Sequence, residues 1–597
     1  MQDAKTVLGV IRDRGRRGLP LQRVYRQLFN PALYLLAYGR LAKNKGAMTP
    51  GVTAETADGM SLAKIDTIIG ALRFERFRWA PVRRTYIPRK NGKVRPLGLP
   101  TWSSKLLQEV IRLILEAYYE PQFSDQSHGF RPTRGCHTAL STIHNGWTGS
   151  TWLIEGDISA CFDSLDHEIL LAIVAEKIHD GRFLRLIADL LKAGYLEEWT
   201  FGRTLSGVPQ GGVVSPVLSN VYLDRLDRFV EHTLLPTYNR GTERPKVPEY
   251  QWMVMKAKRL ERAGKREAAK MLRRQFQAMP SRDPHAPGYR RLRYIRYADD
   301  FLLGFAGPRA EAEEIKHCIR EFLSKDLKLE LSEAKTLVTH ARTEVARFLG
   351  YEVSVLQDDT RRLRRRRART VNGGIRLGLP ADFVLNKCAT YMKCGKPVHL
   401  AERIHDDAFS IVAQYQQEFR GAAEYFQLAT NLHRLNRLKW VMEQSVTKTL
   451  ARKFQISVHQ VYRRYGTTLQ TRHGRYKGLE VKVQRDGGKE PLVAQWGGIS
   501  LQWHIDAVLD DRSPRAWNAR TEVLERLLAD TCELCSSQDR VQVHHVRHMK
   551  DLQRHRGRLV PAWVEKMAAR HRKTLVVCHD CHVAIHAGRP ARERVAA

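Results

Sequence analysis

Three aspartates in two short segments are the first residues whose type and spacing point to a reaction. Asp157 ends the run TWLIEGD, and Asp299 with Asp300 interrupts the apolar run YIRYADDFLLGF. A strand that ends in an aspartate, beside a hairpin that carries two, can converge three carboxylates on a pair of divalent cations. Mg²⁺ prefers such oxygen ligands, so the pattern predicts two-metal phosphoryl transfer. Ordinary turn chemistry at a hairpin tip is the alternative for the Asp-Asp pair.

Four cysteines near the carboxyl end form a second pattern. They make two C-x-x-C pairs, Cys532 with Cys535 and Cys578 with Cys581. Two such pairs are typical of a tetrahedral, four-sulfur Zn²⁺ site in a reducing compartment. Two separate redox pairs are the alternative, but no thioredoxin-like pattern lies nearby. The other five cysteines are scattered, so we predict a structural Zn²⁺ and no disulfide framework.

Histidines lie between and after these cysteine pairs. The run VQVHHVRH predicts a strand that ends in His544 and His545. His582 and His586 stand four apart, so on a helix they share one face. Neighbouring imidazoles can hold one divalent cation while a further histidine acts as general base on water. A zinc finger that only binds DNA is the alternative interpretation.

The composition limits the choice of partner. At roughly 100–200 residues per domain, the 597 residues predict three to five domains. Lys and Arg number 100 against 63 Asp and Glu, which gives a net charge of +37. Such a charge repels itself in a compact fold unless a polyanion lies against it, so nucleic acid is the predicted partner. A merely soluble basic protein is the alternative.

The amino terminus and the apolar runs predict where the protein acts. The first residues, MQDAKTVLGVIRDRGRRG, are charged throughout and contain no secretory core. No apolar run reaches the roughly 18 residues of a membrane helix. We therefore expect a cytoplasmic protein, in a bacterial cell or an organelle matrix, that is nucleoid-associated when it acts on DNA and has no membrane partner.

Periodicity predicts the elements that must position these residues. Residues 1–80 read as helices, and residues 83–100 read as a β-hairpin. Apolar residues at helical spacing predict a helix over Leu106–Tyr119. Residues 236–293 read as a basic insertion that is helical over 256–277, and residues 380–465 are again helical.

A run of arginines lies between two globular stretches. Seven of the nine residues from 361 to 369 are arginine. A solvated tail is the alternative, but the position within the chain favours contact with phosphate. The predicted nucleic-acid contacts of this run are Arg361, Arg362, Arg364, Arg365, Arg366, Arg367 and Arg369.

Six blocks in a fixed order carry a resemblance that covers nearly the whole chain. The sequence resembles a reverse transcriptase of the group II intron maturase family. The resemblance implies a multidomain α+β fold: a right-hand polymerase whose fingers and palm contain an antiparallel sheet, a helical thumb, and a small zinc-stapled ββα-metal domain. The blocks are RRTYIPRKNGKVRPLGLPTWSSKLLQEVI, SHGFRPTRGCHTAL, WLIEGDISACFDSLDH, GVPQGGVVSPVLSNVYLD, YIRYADDFLLGF, and LSEAKTLVTH with FLGYEV.

This resemblance assigns roles around the polymerase site. It implies that Asp157, Asp299 and Asp300 hold two catalytic Mg²⁺ ions. Phe162 stands where an aromatic ring excludes a 2′-hydroxyl, so the enzyme should prefer dNTPs; a plain core phenylalanine is the alternative. The further nucleotide contacts implied are Gln210 and Gly211, in a loop near the nascent pair, and the finger cations Arg83, Arg89, Lys93 and Arg95. Template, nucleotide or primer contacts are implied for Phe130, Arg131 and Lys335.

The end of the chain resembles an HNH nuclease, a ββα-metal finger that cuts DNA. The resemblance implies that His544, His582 and His586 hold one divalent cation, Mg²⁺ by expectation, and that His545 is the general base. The usual central asparagine is absent, and Thr574 takes its place. A threonine hydroxyl can still orient the base through one hydrogen bond.

The combined expectation is a multifunctional enzyme that copies RNA into DNA, assists splicing of its own intron RNA, and cuts the second strand of a DNA target in retrohoming. Its partners are then that intron RNA, target DNA and dNTPs. A splicing-only cofactor and a free-standing reverse transcriptase with a DNA-binding zinc finger are the alternatives. The expected domains are fingers and palm (1–357), thumb or maturase domain (358–470), a DNA-binding region (471–525) and the nuclease (526–597).

Overall fold

The computed structural model of the chain describes residues 2–88, 94–197, 200–202, 206–207, 211–283, 286–357, 372–471, 474–484, 490–504, 507, 522–547, 552, 560–569 and 572–589. No helix within these ranges is long and apolar enough to cross a lipid bilayer.

Helices contain more residues of the described chain than strands do. Side-chain caps define several of their starts: Thr101 accepts from the amide of Ser104 before α4, and Ser457 forms a capping box with Gln460 before α17. The helices are α1 (Ala4–Arg16), α2 (Pro31–Leu41), α3 (Leu62–Arg73), α4 (Trp102–Tyr119), α5 (Cys136–Gly146), α6 (Cys161–Ser164), α7 (His167–Ala175), α8 (Gly181–Lys192), α9 (Ser215–Phe229), α10 (Leu235–Tyr238), α11 (Pro248–Arg262), α12 (Arg266–Phe276), α13 (Arg309–Leu327), α14 (Ala381–Ala389), α15 (Ala408–Tyr425), α16 (Leu435–Phe454), α17 (Val458–Tyr465), α18 (Glu522–Leu528), α19 (Ala562–Ala569) and α20 (His579–His586).

The strands are short and belong to several small sheets. They are β1 (Leu21–Gln22), β2 (Val82–Pro88), β3 (Val94–Leu99), β4 (Ser127–His128), β5 (Trp152–Asp157), β6 (Ile178–His179), β7 (Tyr195–Glu197), β8 (Thr200–Gly202), β9 (Arg291–Tyr297), β10 (Asp300–Ala306), β11 (Val338–His340), β12 (Ala346–Phe348), β13 (Tyr351–Val355), β14 (Ile375–Gly378), β15 (Met392–Lys393), β16 (Lys396–Pro397), β17 (Gly466–Thr471), β18 (Gly474–Val483), β19 (Leu492–Trp496), β20 (Gln542–His545) and β21 (Thr574–Val577).

A five-stranded sheet in the order β11-β5-β10-β9-β4 forms the palm. Its two faces pack into different apolar cores because side chains alternate along a strand. Phe301 and Leu303 point into a core shared with the amino-terminal helices, whereas Leu302 points into a core shared with the thumb. β10 is therefore buried along almost its whole length, and it reads as a continuous apolar run rather than an alternating one.

The fingers contain the hairpin that the sequence predicts. β2 and β3 pair antiparallel from Arg83–Leu99 to Pro88–Val94, and β7 and β8 extend the sheet. The predicted helix at 106–119 is also present, as the longer α4. In the basic insertion, the predicted helical character of 256–277 is confirmed. A turn at Gly264, whose φ of +77° is left-handed, separates the two helices α11 and α12.

The thumb helices carry a sheet of their own. β17, β18 and β19 form a three-stranded antiparallel sheet that lies on α15. Trp496 is fully buried there against Tyr415 and Phe419. The side-chain amide of Gln416 exchanges two 2.9 Å hydrogen bonds with the backbone of Gly497. β17, β18 and β19 thus pack with the thumb, across the predicted boundary at 471.

The carboxyl-terminal unit is a small fold built on a two-stranded sheet. β20 and β21 pair antiparallel, and α19 and α20 cover them around a core that includes Met567 and Leu575. One face of this unit does not belong to that core. Leu524, Val541 and Val543 are buried in the same apolar core as the amino-terminal helices. The unit is therefore docked on the amino-terminal lobe.

Candidate functional sites

The palm sheet brings the predicted polymerase aspartates together. β5 and β10 are neighbours, and their register places Asp157 directly opposite Asp300. Asp299 lies in the two-residue turn between β9 and β10, after Ala298 with its φ of +55°. The expected hairpin with two acids at its tip is confirmed. Ordinary turn chemistry can account for Asp299 but not for Asp300, since Asp300 already pairs as a strand residue.

Burial and mutual repulsion raise the pKa values of the carboxyl groups at this site. Burial raises the pKa of Asp300 to about 7, and the hydrogen bond to Asp157 and the charge of Asp299 act in the same direction. Burial also raises the pKa of Asp299, while Arg95 and Lys335 oppose the rise. Three crowded carboxyl groups of this kind fit divalent cations, which would relieve the repulsion.

The three aspartates do not form one compact ligand set, and a lysine lies beside one of them. Among the described residues, only the cysteine and histidine groups below have every ligand atom within 4.8 Å of the others. Lys335 Nζ lies 2.7 Å from Asp157 Oδ2.

A buried arginine holds the turn that carries Asp299. Arg296 is fully buried and forms a two-pronged ion pair with Asp227, with N–O distances of 2.8 and 2.6 Å. Arg296 Nη1 also donates to the carbonyl of Ala298 at 2.8 Å, one residue before Asp299. Tyr294 donates a further bond to Asp227. Sequence reasoning missed this network, although a charged residue inside an apolar strand was the available signal.

Two aromatic rings contact each other: Phe162, five residues after Asp157, and Phe130. Phe162 follows β5 at the start of α6, and its ring meets that of Phe130 edge-on at 6.2 Å between centroids. Phe162 is half-buried, and Phe130 is 57% exposed with a left-handed φ of +56°. A core phenylalanine would be buried, so the exposure favours a ring that faces the site.

Arg131, a predicted template or nucleotide contact, is bonded within the protein. Its side chain is buried and pairs with Glu120. Its guanidinium also donates to the carbonyls of Ser124 and Ser127, at 2.6 and 2.5 Å. These bonds fix the loop that presents Phe130. We therefore correct its role from contact to positioning.

The finger cations are only partly described. Arg83 is exposed and donates to the carbonyl of Pro50 at 2.8 Å. Arg95 is exposed and close enough to lower the pKa of Asp299. Gly211 lies beneath this sheet with a φ of +103°, and a Cβ there would approach Gly98 O to 2.5 Å. Gly211 therefore serves close packing against the fingers. Arg89, Lys93, Gln210 and the arginines of 361–369 lie outside the described residues.

The four cysteines form a zinc-binding geometry. The Sγ atoms of Cys532, Cys535, Cys578 and Cys581 all lie within 4.8 Å of one another. Cys535 Sγ is 3.6 Å from Cys578 Sγ and 3.7 Å from Cys581 Sγ. Sulfurs bound at ~2.3 Å to one Zn²⁺ stand about 3.8 Å apart at the corners of a tetrahedron. The predicted structural site fits a zinc ion.

The predicted nuclease histidines also converge. β20 ends in His544 and His545, and α20 carries His582 and His586 on one face, with their Nε2 atoms 3.2 Å apart. Burial lowers the pKa of His544. Its Nε2 is buried without a hydrogen bond among the described residues. A ring nitrogen of this kind, beside two further imidazoles, fits a divalent cation.

Asp58 is a fourth member of this group, and sequence reasoning missed it. Its carboxylate lies within 4.8 Å of the ligand atoms of His544, His582 and His586. Burial opposes its ionisation, but hydrogen bonds from His544 and His582 hold the pKa of Asp58 well below its ordinary value. A single aspartate in the polar stretch TAETADGM gave no signal of this contact.

His545, the predicted general base, is enclosed. Its Nε2 lies 2.9 Å from the hydroxyl of Tyr38, and burial lowers the pKa of His545 to about 4. Thr574 lies opposite His545 in the β20–β21 register. However, the Thr574 hydroxyl accepts a bond from Arg526 at 2.8 Å. In the structure the Thr574 hydroxyl therefore contacts Arg526, and not the imidazole that it was predicted to orient.

Three family profiles match successive parts of the chain. They describe a reverse transcriptase (RNA-dependent DNA polymerase) over residues 87–353, a type II intron maturase over residues 380–487, and an AI2M/AI1M-like HNH endonuclease over residues 532–582. The maturase match crosses residue 471, in agreement with the packing of β17–β19 on the thumb.

Curated relatives match almost the whole chain. The group II intron-encoded protein LtrA of Lactococcus lactis subsp. cremoris is 38% identical over 581 residues, which cover 94% of this chain and 95% of that protein. An uncharacterized 91 kDa protein in a cob intron of Schizosaccharomyces pombe is 33% identical, with 94% and 69% covered. A putative COX1/OXI3 intron 1 protein of Saccharomyces cerevisiae is 29% identical, with 93% and 68% covered.

Proposed function

The chain belongs to the family of group II intron-encoded proteins, and from that premise we propose how its two catalytic centres divide one reaction sequence. It is a multifunctional protein that joins an RNA-directed DNA polymerase, an intron maturase and an HNH DNA endonuclease. Intron RNA and DNA are its partners. The residue roles, the metal ions and the order of steps below are proposals.

The polymerase centre consists of Asp157, Asp299 and Asp300. The main support for this assignment is that Asp157 and Asp300 lie opposite each other on adjacent strands. This register brings carboxylates from distant segments into one half-buried, negatively charged cluster. Two Mg²⁺ ions held there would activate the 3′-oxygen and stabilise the leaving pyrophosphate. Arg95 would attract the triphosphate toward Asp299, and Phe162 would crowd the sugar 2′ position.

The nuclease centre consists of His544, His582 and His586 for the cation and His545 for the base. A cation bound there supplies Lewis-acid stabilisation of a scissile phosphate. The imidazole of His545 would take a proton from the attacking water. The cysteine cluster would keep β20 and α20 in register through its Zn²⁺.

The two centres would act on one DNA target. The maturase region would bind the intron RNA that encodes the protein and assist its splicing. The nuclease would cut the strand opposite the inserted RNA, and the freed 3′-hydroxyl would prime cDNA synthesis. The protein would act where this RNA meets DNA, in bacterial cytoplasm at the nucleoid or in an organelle matrix.

Primer extension on an RNA template with purified protein and Mg²⁺ tests the polymerase. Wild type should extend the primer, and Asp299→Asn should reduce extension at least about a hundredfold, because one metal ligand is lost. Asp326→Asn is the matched control, since Asp326 is exposed on α13. Wild-type protein without extension would leave a splicing cofactor as the better function.

A nicked and an intact DNA target separate the nuclease from the polymerase. His545→Ala should abolish second-strand cutting and keep cDNA synthesis from a nicked primer. His579→Ala, at an exposed histidine of α20, is the control. Unchanged cutting in His545→Ala would contradict the assignment of the base.

A further inference from the structure

One carboxylate from the amino-terminal lobe contacts every histidine proposed to hold the nuclease cation. Asp58 stands 487 residues before His545 in the chain. Its Oδ2 lies 2.8 Å from His586 Nε2, and its Oδ1 lies 3.1 Å from His582 Nε2 and 3.4 Å from His544 Nδ1. A contact set of this precision across two units requires that the units be held in register.

Backbone hydrogen bonds provide that register. The amide of Gly59 donates to Val543 O, and the amide of Val543 donates to Met60 O, both at 2.9 Å. The amide of His545 donates to Asp58 Oδ1 at 2.7 Å. Residues 58–60 therefore lie along β20 like an added strand. Met60 is fully buried in the lobe.

The same lobe covers the proposed general base. The hydroxyl of Tyr38, in α2, lies 2.9 Å from His545 Nε2, and both residues are buried. A general base must reach a water beside the cation and the scissile phosphate. A ring nitrogen that is bonded to a tyrosine inside the protein cannot reach that water.

Asp58 resembles the group that a nuclease must bind. A carboxylate and a phosphodiester both present anionic oxygens, the ligands that hard divalent cations prefer. We propose that Asp58 is an internal mimic of the scissile phosphate and that Tyr38 with residues 58–60 forms a nuclease latch. The docked arrangement is the inactive state, and duplex DNA opens it by competing with Asp58. This inference rests on the proposed nuclease function.

The docked face explains why the latch stays closed without DNA. Leu524, Leu527, Val541 and Val543 are buried in the core of the amino-terminal lobe. Separation would expose this apolar surface to water, which is unfavourable. A ligand that binds the histidines in place of Asp58 offsets that cost.

Cutting of a short duplex DNA by the full-length protein, without RNA and in Mg²⁺, tests the latch. Asp58→Ala should cut at least about tenfold faster than wild type, and Tyr38→Phe should give a smaller rise. Asp66→Ala, at an exposed aspartate of α3, should match wild type. Retained cDNA synthesis in each variant shows that the amino-terminal lobe has folded.

Hydrogen exchange supplies a readout that does not need cutting. The amides of Gly59, Val543 and His545 should exchange faster in Asp58→Ala, and faster in wild type after addition of a phosphorothioate duplex that resists cleavage. Slower cutting in Asp58→Ala would make Asp58 an activating ligand and overturn the latch, as would unchanged exchange at these amides. No cutting by any variant, together with faster exchange, would contradict the nuclease function and support the latch contact.

Discussion

Lys335 Nζ lies 2.7 Å from Asp157 Oδ2, so an ammonium group already neutralises one of the aspartates proposed to bind Mg²⁺. The Lys335 side chain is 67% exposed, and the pair is therefore worth little to stability. Its position matters instead for competition, because a positive charge and a metal ion cannot both approach the same oxygen closely.

Removal of this charge should change the metal requirement of polymerisation. We expect Lys335→Met to lower the Mg²⁺ concentration that gives half-maximal cDNA synthesis by roughly three- to tenfold, about 1 kcal/mol. A magnesium titration of primer extension measures it. Lys325→Met is the control, since Lys325 pairs with Glu321 on α13. An unchanged magnesium midpoint would show that Lys335 does not compete with the ion.

The exposed side of Phe162 should decide sugar selection. Phe162→Ala removes the ring that we propose to crowd the 2′ position, so incorporation of rNTPs relative to dNTPs should rise about tenfold or more. Single-nucleotide extension with paired rNTP and dNTP substrates measures the ratio. Phe74→Ala is the control at a 71% exposed phenylalanine. An equal ratio in wild type and Phe162→Ala would return Phe162 to a packing role.

The buried pair of Arg296 and Asp227 should be expensive to break. Asp227→Asn leaves the guanidinium without its counter-charge inside the protein, which costs about 3–5 kcal/mol. We expect a lower denaturation midpoint of the polymerase region and loss of cDNA synthesis, because the turn before Asp299 loses its support. Chemical unfolding followed by fluorescence measures it, with exposed Asp326→Asn for comparison. A midpoint within error of wild type would contradict the assigned role.

Zinc should stabilise the nuclease unit and leave the polymerase unaffected. Cys532→Ser removes one of four sulfurs, so the purified protein should lose its equivalent of zinc and its DNA cutting while it keeps cDNA synthesis. Metal analysis and the two activity assays measure this. Cys394→Ser, at an exposed cysteine, should keep the metal. Full zinc content in Cys532→Ser would rule out the four-sulfur site.

His128 should make the palm sensitive to acid. Burial, together with the nearby arginines Arg134, Arg131 and Arg296, lowers the pKa of His128 to about 3, against ~6.5 in an unfolded chain. The unfolded state therefore binds the extra proton between these values. His128 contributes stability above pH 6.5 that is lost as pH falls toward 3, about 2 kcal/mol by pH 5.

Free energies of unfolding at pH 7 and pH 5 measure this dependence. In His128→Asn the difference between the two free energies should shrink by that amount, whereas exposed His317→Asn should behave like wild type. An identical pH dependence in wild type and His128→Asn would show that His128 is not the responsible group.

Local patterns predicted the parts of the sites that depend on one element each. An apolar run ending in Asp157, paired acids in a hairpin, and cysteines at knuckle spacing all encode their geometry within a few residues. Period and spacing alone predicted β5 and the β9–β10 hairpin, because these elements bury the apolar faces that the sequence displays.

Contacts between distant elements were not predictable in this way. Asp58 reaches His586 only because the nuclease docks on the lobe, and the residues around Asp58 give no sequence signal of this docking. Arg131 carries a charge that sequence reasoning assigned to nucleic acid, whereas its loop folds back on Glu120. Trp496 lies after a polar, Gly-rich stretch that suggests a linker, but its indole fills the thumb core.

The bridge between Met60 and Val543 has a consequence for how the nuclease behaves by itself. In the whole chain β20 pairs with β21 on one side and with the amino-terminal lobe on the other, so both of its edges form backbone hydrogen bonds. A fragment beginning near residue 522 would present a bare strand edge beside Val541 and Val543. Such edges recruit strands from other molecules, and we expect the isolated fragment to self-associate where the intact protein stays dispersed.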